Sequence, residues 1–163
     1  MTSLAEQVGA ALKLHGMMLA TAESCTGGGI AEAVTAISGS SSWFERGFVT
    51  YANAAKVEML GVRQSTLDAH GAVSEATVRE MAAGALQHSH AHIAVAVSGV
   101  AGPAGGTPEK PVGTVWFGWA LRDGEVHARL HNLKGDRAAI REQSVEIALR
   151  GVLNILNNHV KTA

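Results

Sequence analysis

A single cysteine, Cys25, stands among the 163 residues, so no internal disulfide can form and a reducing cytoplasm is the expected setting. Charge of one sign is also scarce. Thirteen Lys and Arg oppose fourteen Asp and Glu for a net charge of −1, which excludes a partner held mainly through phosphate-backbone charge, such as a nucleic acid. The densest positive stretch, Arg137 with Arg141, is short and interleaved with acids. No apolar run approaches the ~18 residues that a bilayer crossing needs. The opening MTSLAEQVGAALKLHG carries Glu6 and no long apolar core, so it does not read as a signal peptide. No membrane partner is expected.

What the chain does have is glycine, 19 residues, with 47% apolar and 17% charged positions. That composition is globular rather than disordered. A chain of this length buries about 70% of its unfolded surface and needs no metal or disulfide to fold.

Leu4, Val8, Ala11 and Leu12 share one helical face, so residues 3–15 read as an opening helix that Gly16 ends. Met17 to Ala22 fits a buried strand. A polar, glycine-rich turn follows at 26–29, and a helical pattern then runs to Ile37. Strand, polar glycine turn and helix form the unit that sets functional groups at the carboxyl end of a sheet. Residues 38–42 read as a loop, 44–52 as a second strand, and 53–60 and 64–69 as short helical pieces. Ser74 is an N-cap candidate for a helix whose face is Val78, Met81, Ala82, Ala85 and Leu86. Ile93 to Val97 is apolar throughout, as in a strand covered on both sides. The runs 112–121 and 125–133 flank Asp123-Gly124, a hairpin signal. Asp136 can cap a last helix with Ile140, Ile147, Ala148, Val152 and Ile155 on one face. The order of elements predicts an α/β sandwich with a mixed sheet, in one domain.

Two segments could carry chemistry. Glu23-Ser24-Cys25-Thr26-Gly27-Gly28 sits where a strand meets a helix, and the N–H groups of a helix N-terminus suit a phosphate or a developing oxyanion. An N-cap with turn glycines is the plainer reading. Neither a G-x-G-x-x-G fingerprint nor a P-loop is present. The second segment is 98–107, where Gly99, Gly102, Gly105 and Gly106 permit close backbone approach to a ligand. Tyr51 and Lys56, taken alone, read as edge and surface residues. The run His88, His90, His92 straddles a helix end and has no H-E-x-x-H pattern, so no metal is assigned to it. Cys25 beside Ser24 is a rival nucleophile.

Taken together, these blocks resemble the CinA carboxy-terminal domain family. The resemblance rests on Ala22-Glu23-Ser24-Cys25-Thr26-Gly27-Gly28, the run Trp43 to Tyr51, Gly71-Ala72-Val73-Ser74-Glu75, Ser98 to Pro103, Lys110 to Trp116 and Gly135-Asp136-Arg137, in the family's order over residues 4–155. It implies a three-layer α/β/α sandwich around a mixed, mostly parallel sheet. It also implies the activity of stand-alone members, which hydrolyse nicotinamide mononucleotide to nicotinate mononucleotide and ammonia without a cofactor or metal. The family's serine, tyrosine and lysine map onto Ser24, Tyr51 and Lys56. The chain lacks the amino-terminal half of longer CinA proteins, so an activity of that half is not expected. It has Ala52 where a serine is common, a change expected to remove a ligand hydrogen bond.

On that resemblance, Ser24 attacks the carboxamide carbon and a neutral Lys56 takes its proton, directly or through Tyr51. Main-chain N–H groups near Cys25, Gly27 and Gly28, or in the 99–106 loop, hold the oxyanion. Arg137, with Thr26 and Thr107, is the expected phosphate contact. Two further readings stay open here: Cys25 as the nucleophile, and a nucleotide-binding or regulatory module without turnover. A homodimer is compatible with the resemblance. With aromatics at only 4%, a site in this chain is built from main-chain donors more than from stacking rings.

Overall fold

Two strands with split faces decide the layers. β1 (Leu19–Glu23) and β3 (Ile93–Gly99) alternate large and small side chains, and successive strand residues point to opposite faces. Leu19, Ile93, Val95 and Val97 therefore join one core, while Ala20, Ala22, Ala94 and Ala96 join another. The computed structural model describes residues 2–162, with side chains to residue 158. In it, α1 (Leu4–His15), α2 (Gly29–Thr35) and α6 (Arg137–Thr162) cover the face of large residues. The alanine face is covered by α3 (Asn53–Leu60), α4 (Gln64–His70) and α5 (Glu75–Gln87). Small residues there let α5 come close: a Cβ on Gly118 would stand 2.7 Å from the Val78 carbonyl oxygen.

With β2 (Phe44–Val49), β4 (Thr114–Leu121) and β5 (Val126–Asn132), the sheet runs in the order β2-β1-β3-β4-β5. β2, β1 and β3 are mutually parallel, and β4 is antiparallel to both β3 and β5. The expected three-layer α/β/α sandwich with a mixed sheet is the observed one. The Asp123-Gly124 hairpin joins β4 to β5, with Gly124 at φ +103. No described helix is long and apolar enough to cross a membrane.

Two boundaries differ from the sequence reading, and both bear on the site. β2 stops at Val49, not Ala52: the Thr50 N–H still bonds the Glu23 carbonyl (2.8 Å), but the chain then leaves the sheet for α3, with Ala52 already its N-cap. β3 extends past the apolar run Ile93 to Val97 through Ser98 and Gly99, because both still pair with β4 opposite Trp116 and Val115. The carboxyl ends of β1, β2 and β3 thus lie side by side. α2 leaves β1 on one face of the sheet and α3 leaves β2 on the other, which opens a crevice between them.

Candidate active site

Ser24 is the first residue beyond β1. Its N–H donates to the Val97 carbonyl (3.1 Å), carrying strand pairing one step past the strand. The chain then coils tightly: the Gly27 N–H donates to the Ser24 carbonyl and the Gly29 N–H to the Thr26 carbonyl, both at 3.0 Å. Gly27 and Gly28 adopt φ +59 and +103, a region that side chains disfavour.

Lys56, on the first turn of α3, reaches this corner from the opposite layer. The side chain is buried, at 1% exposure. Its Nζ lies 3.0 Å from Ser24 Oγ, 2.9 Å from the Thr50 carbonyl and 3.1 Å from the Tyr51 carbonyl. Among the described residues no carboxylate joins this set, and burial holds the amine below the usual lysine range. A neutral amine fits the three contacts: two N–H bonds go to the carbonyls and the lone pair is left for the serine hydroxyl. The Lys56–Ser24 contact is direct. The Tyr51 hydroxyl instead accepts a bond from Arg137 Nη2 (3.2 Å), and Tyr51 is 63% exposed at the mouth of the site.

Two charged residues that the sequence reading passed over hold the turn. Glu23, fully buried at the end of β1, accepts bonds from the Thr26 hydroxyl (2.5 Å) and the Ile30 N–H (2.9 Å) on one oxygen, and from the Ala31 N–H (3.0 Å) on the other. The amides of the first turn of α2 are therefore taken by a protein carboxylate. They are not open to a phosphate or an oxyanion, contrary to the expectation for that helix end. The strand alternation carried this signal, since Leu19, Thr21 and Glu23 share the face on which α2 lies. On the other side, Arg141 of α6 donates to the Cys25 carbonyl (3.1 Å) and the Thr26 carbonyl (3.2 Å). One helical turn earlier, Arg137 donates to the Gly102 carbonyl (2.8 Å). The i, i+4 spacing of the two arginines on α6 was the available sign. Among the described residues, all the partners of both guanidiniums are carbonyls or the Tyr51 hydroxyl, and no carboxylate pairs with either charge beside the crevice.

A cleft of about 270 Å³ opens over Ser24, lined by Cys25, Tyr51, Gly99, Gly102, Gly105 and Arg137 among others. Along its glycine loop, the amides of Ala101, Gly102, Ala104, Gly105 and Gly106 find no acceptor among the described residues. The other sequence-proposed contacts stand further off. Thr26 spends its hydroxyl on Glu23, Thr107 accepts from the Lys110 N–H (3.0 Å), and Gly27, Gly28 and Gly106 do not line the cleft. A larger cleft, about 680 Å³ between β5 and α6, is lined by Arg129, His131, Arg150 and Trp119 and holds no nucleophile with a base beside it.

Cys25 is buried, and burial pushes its thiol up to about 11. At neutral pH only about one thiol in ten thousand would be thiolate, so it is a poor nucleophile. Ala52 is the N-cap residue of α3 with no side-chain cap. A serine in its place would close the helix that carries Lys56, which makes the missing hydroxyl a helix-capping matter. The histidine run is split: His88 Nδ1 bonds the Gly84 carbonyl, and His92 Nδ1 accepts from the Met18 N–H. Among the described residues no three His, Cys, Asp or Glu side chains are grouped to hold a metal.

The chain is similar to several known proteins along most of its length. The nicotinamide-nucleotide amidohydrolase PncC of Escherichia coli K12 is 58% identical over 147 residues, covering 90% of this chain and 89% of that protein. A protein of the same name from Pseudomonas putida is 52% identical, covering 94% and 96%. Among solved structures, a competence/damage inducible protein from Agrobacterium tumefaciens matches with a TM-score of 0.90 at 48% identity, over 94% of this chain and 93% of that one. A CinA superfamily protein from Klebsiella pneumoniae matches with a TM-score of 0.91 at 42% identity, over 95% and 96%. The profile of the CinA C-terminal domain matches residues 1–156, and the chain belongs to that family.

Proposed function

We propose that this chain hydrolyses the carboxamide of nicotinamide mononucleotide, giving nicotinate mononucleotide and ammonia within pyridine-nucleotide recycling. The observation that carries the reading is the buried Lys56 Nζ, 3.0 Å from Ser24 Oγ and without a carboxylate partner. Relatives that bear the name nicotinamide-nucleotide amidohydrolase, at 52–58% identity over nine-tenths of the chain, support the substrate.

A serine hydroxyl is a weak nucleophile at neutral pH and needs a base beside it. Neutral Lys56 takes the Ser24 proton as Oγ attacks the carboxamide carbon, and the carbonyl oxygen becomes an oxyanion. The carbon–nitrogen bond then breaks. Lys56 returns its proton to the departing nitrogen, which leaves as ammonia, and the nicotinoyl group stays as an ester on Ser24. Water, deprotonated by the same amine, attacks that ester and frees nicotinate mononucleotide and the serine hydroxyl. Main-chain N–H groups near Cys25 and in the 101–106 loop hold the oxyanion, a contribution worth about 10²–10³ in turnover per donor. Arg137 is the phosphate contact, its charge already unpaired at the mouth of the cleft. Tyr51 lies beside it and closes that side of the pocket.

The decisive measurement is ammonia release from nicotinamide mononucleotide by the purified protein and by Ser24→Ala. Release by the first and loss of at least about 10³-fold in the second is expected. No release by the wild type over a range of pH, with binding retained, would favour a nucleotide-sensing module. Full activity in Ser24→Ala would remove Ser24 as the nucleophile.

A further inference from the structure

Arg141 does not line the cleft and has no hydrogen bond to Ser24, yet its guanidinium is bonded to the turn that leads from Ser24 into α2. It bonds the Cys25 carbonyl through Nε (3.1 Å) and the Thr26 carbonyl through Nη2 (3.2 Å). In a trans peptide the carbonyl and the following N–H share one plane and point opposite ways. Fixing the Thr26 carbonyl therefore fixes the Gly27 N–H, which donates to the Ser24 carbonyl at 3.0 Å. The Ser24 carbonyl in turn shares its plane with the Cys25 N–H, which bonds no main-chain acceptor among the described residues and belongs to a residue that lines the cleft. Arg141 is thus linked to the Cys25 amide through two peptide planes and one hydrogen bond.

Packing supports the same role. A Cβ on Gly27 would stand 3.3 Å from Arg141 Nη2, and one on Gly29 would stand 3.0 Å from Val145 on the next turn of α6. The turn therefore meets α6 at Gly27 and at Gly29. Arginine makes its two bonds from separate nitrogens of one rigid planar fork, whereas a lysine would have to serve both carbonyls from a single point charge. Among the described residues no carboxylate pairs with this guanidinium.

We propose that Arg141 is a positioning residue of the reaction: bridging the Cys25 and Thr26 carbonyls, it aims the Cys25 N–H at the oxyanion and holds Ser24 in register with Lys56. The proposal rests on the reading of Ser24 as nucleophile, and covalent labelling of Ser24 reads it without nicotinamide mononucleotide.

The test measures the rate at which a fluorophosphonate labels Ser24, beside kcat and KM for ammonia release, in wild type, Arg141→Gln, Arg141→Lys and Arg141→Ala. Thermal melting serves as the control for folding. In folded Arg141→Gln, labelling and kcat should both fall about 10²-fold while KM changes by less than about threefold. Added guanidinium should restore part of the labelling rate in Arg141→Ala, a result that a merely structural role would not give. If Arg141→Gln fails to fold, Arg141→Lys decides: a loss of about tenfold in labelling is expected at wild-type melting temperature. Labelling within about threefold of wild type in a folded variant overturns the proposal, as does a loss confined to KM. Labelled wild-type protein that releases no ammonia would overturn the substrate reading alone, and the labelling rates would still judge Arg141. A wild type that is not labelled would remove Ser24 as the nucleophile and the proposal with it.

Discussion

Lys56 Nζ and Ser24 Oγ, 32 positions apart in sequence, meet at 3.0 Å where two layers of the sandwich join. The serine comes from the end of β1 and the lysine from the first turn of α3, which packs on the alanine face. The contact therefore depends on β2 lying beside β1 and on its early end at Val49. Replacing Lys56 by Met keeps most of the apolar stem and removes the base, so kcat should fall by about 10²–10⁴. Lys56→Arg should be no better, since guanidinium stays protonated. Steady-state ammonia release measures both, and more than a tenth of wild-type kcat in either would sink the base assignment.

The same burial gives a pH signature. Only the neutral amine accepts the serine proton, so kcat/KM should rise with pH on a limb with a midpoint below the ~10.4 of free lysine. Stability carries the matching sign. Between the lowered folded value and the unfolded one, the unfolded chain binds more protons, so the lysine's contribution to stability improves as pH rises through that window. The stability of wild type minus that of Lys56→Met, from urea unfolding at a series of pH values, should climb up to pH ~10.4 and then level off. A difference that is flat or falling across the window would contradict a depressed Lys56.

Much of this fold was legible in the sequence. The unbroken apolar run at β3, the Asp123-Gly124 hairpin and the glycine stops at Gly16 and Gly124 each follow from local physics, and each is found in the structure. The site was legible only through its motifs. Nothing in the spacing of Ser24, Tyr51 and Lys56 shows that the lysine meets the serine while the tyrosine hydroxyl turns to Arg137, because strand order and the ends of β2 and β3 set those distances. Glu23 was misjudged by omission. Its place on the α2 face follows from alternation in β1, but that its carboxylate would take the α2 amides is a tertiary fact.

Glu23 also yields a measurable cost. In Glu23→Ala the Ile30 and Ala31 amides and the Thr26 hydroxyl lose their acceptor in a buried setting, which should destabilise the protein by about 2–4 kcal/mol. Glu23→Gln can still accept on one oxygen, but its amide nitrogen is a donor facing a donor, so an intermediate loss is expected. Urea midpoints of the two variants check this ordering. A change under about 0.5 kcal/mol in both would show that the carboxylate does not hold the turn.

Ala52 offers the opposite case, a gain. It stands in extended conformation, φ −78 and ψ 152, at the N-cap of α3 and makes no side-chain cap. A serine hydroxyl there can accept an amide of the first turn, so Ala52→Ser should stabilise by about 0.5–2 kcal/mol. Because α3 carries Lys56, the stiffer helix end should leave kcat unchanged or raise it. Melting and turnover measured together test this, and a fall in melting temperature would refute the capping account.

Arg137 is the residue whose partners should change when substrate arrives. Its guanidinium is shared between the Gly102 carbonyl (2.8 Å) and the Tyr51 hydroxyl (3.2 Å), and among the described residues no carboxylate pairs with it. Both bonds are to neutral acceptors, so a phosphate competes for the same donors with a charge-assisted, bidentate pair. If Arg137 binds the phosphate, Arg137→Ala should lower kcat/KM for nicotinamide mononucleotide by about 10–100-fold and barely change that for the riboside, which has no phosphate. Arg137→Lys should recover part of the loss, as a point charge without the fork. The quantity to measure is the ratio of kcat/KM for mononucleotide over riboside, in which general damage to the cleft cancels. A ratio in Arg137→Ala within about threefold of wild type would mean that the phosphate is held elsewhere, and the free amides of the 101–106 loop would then be the donors to change next.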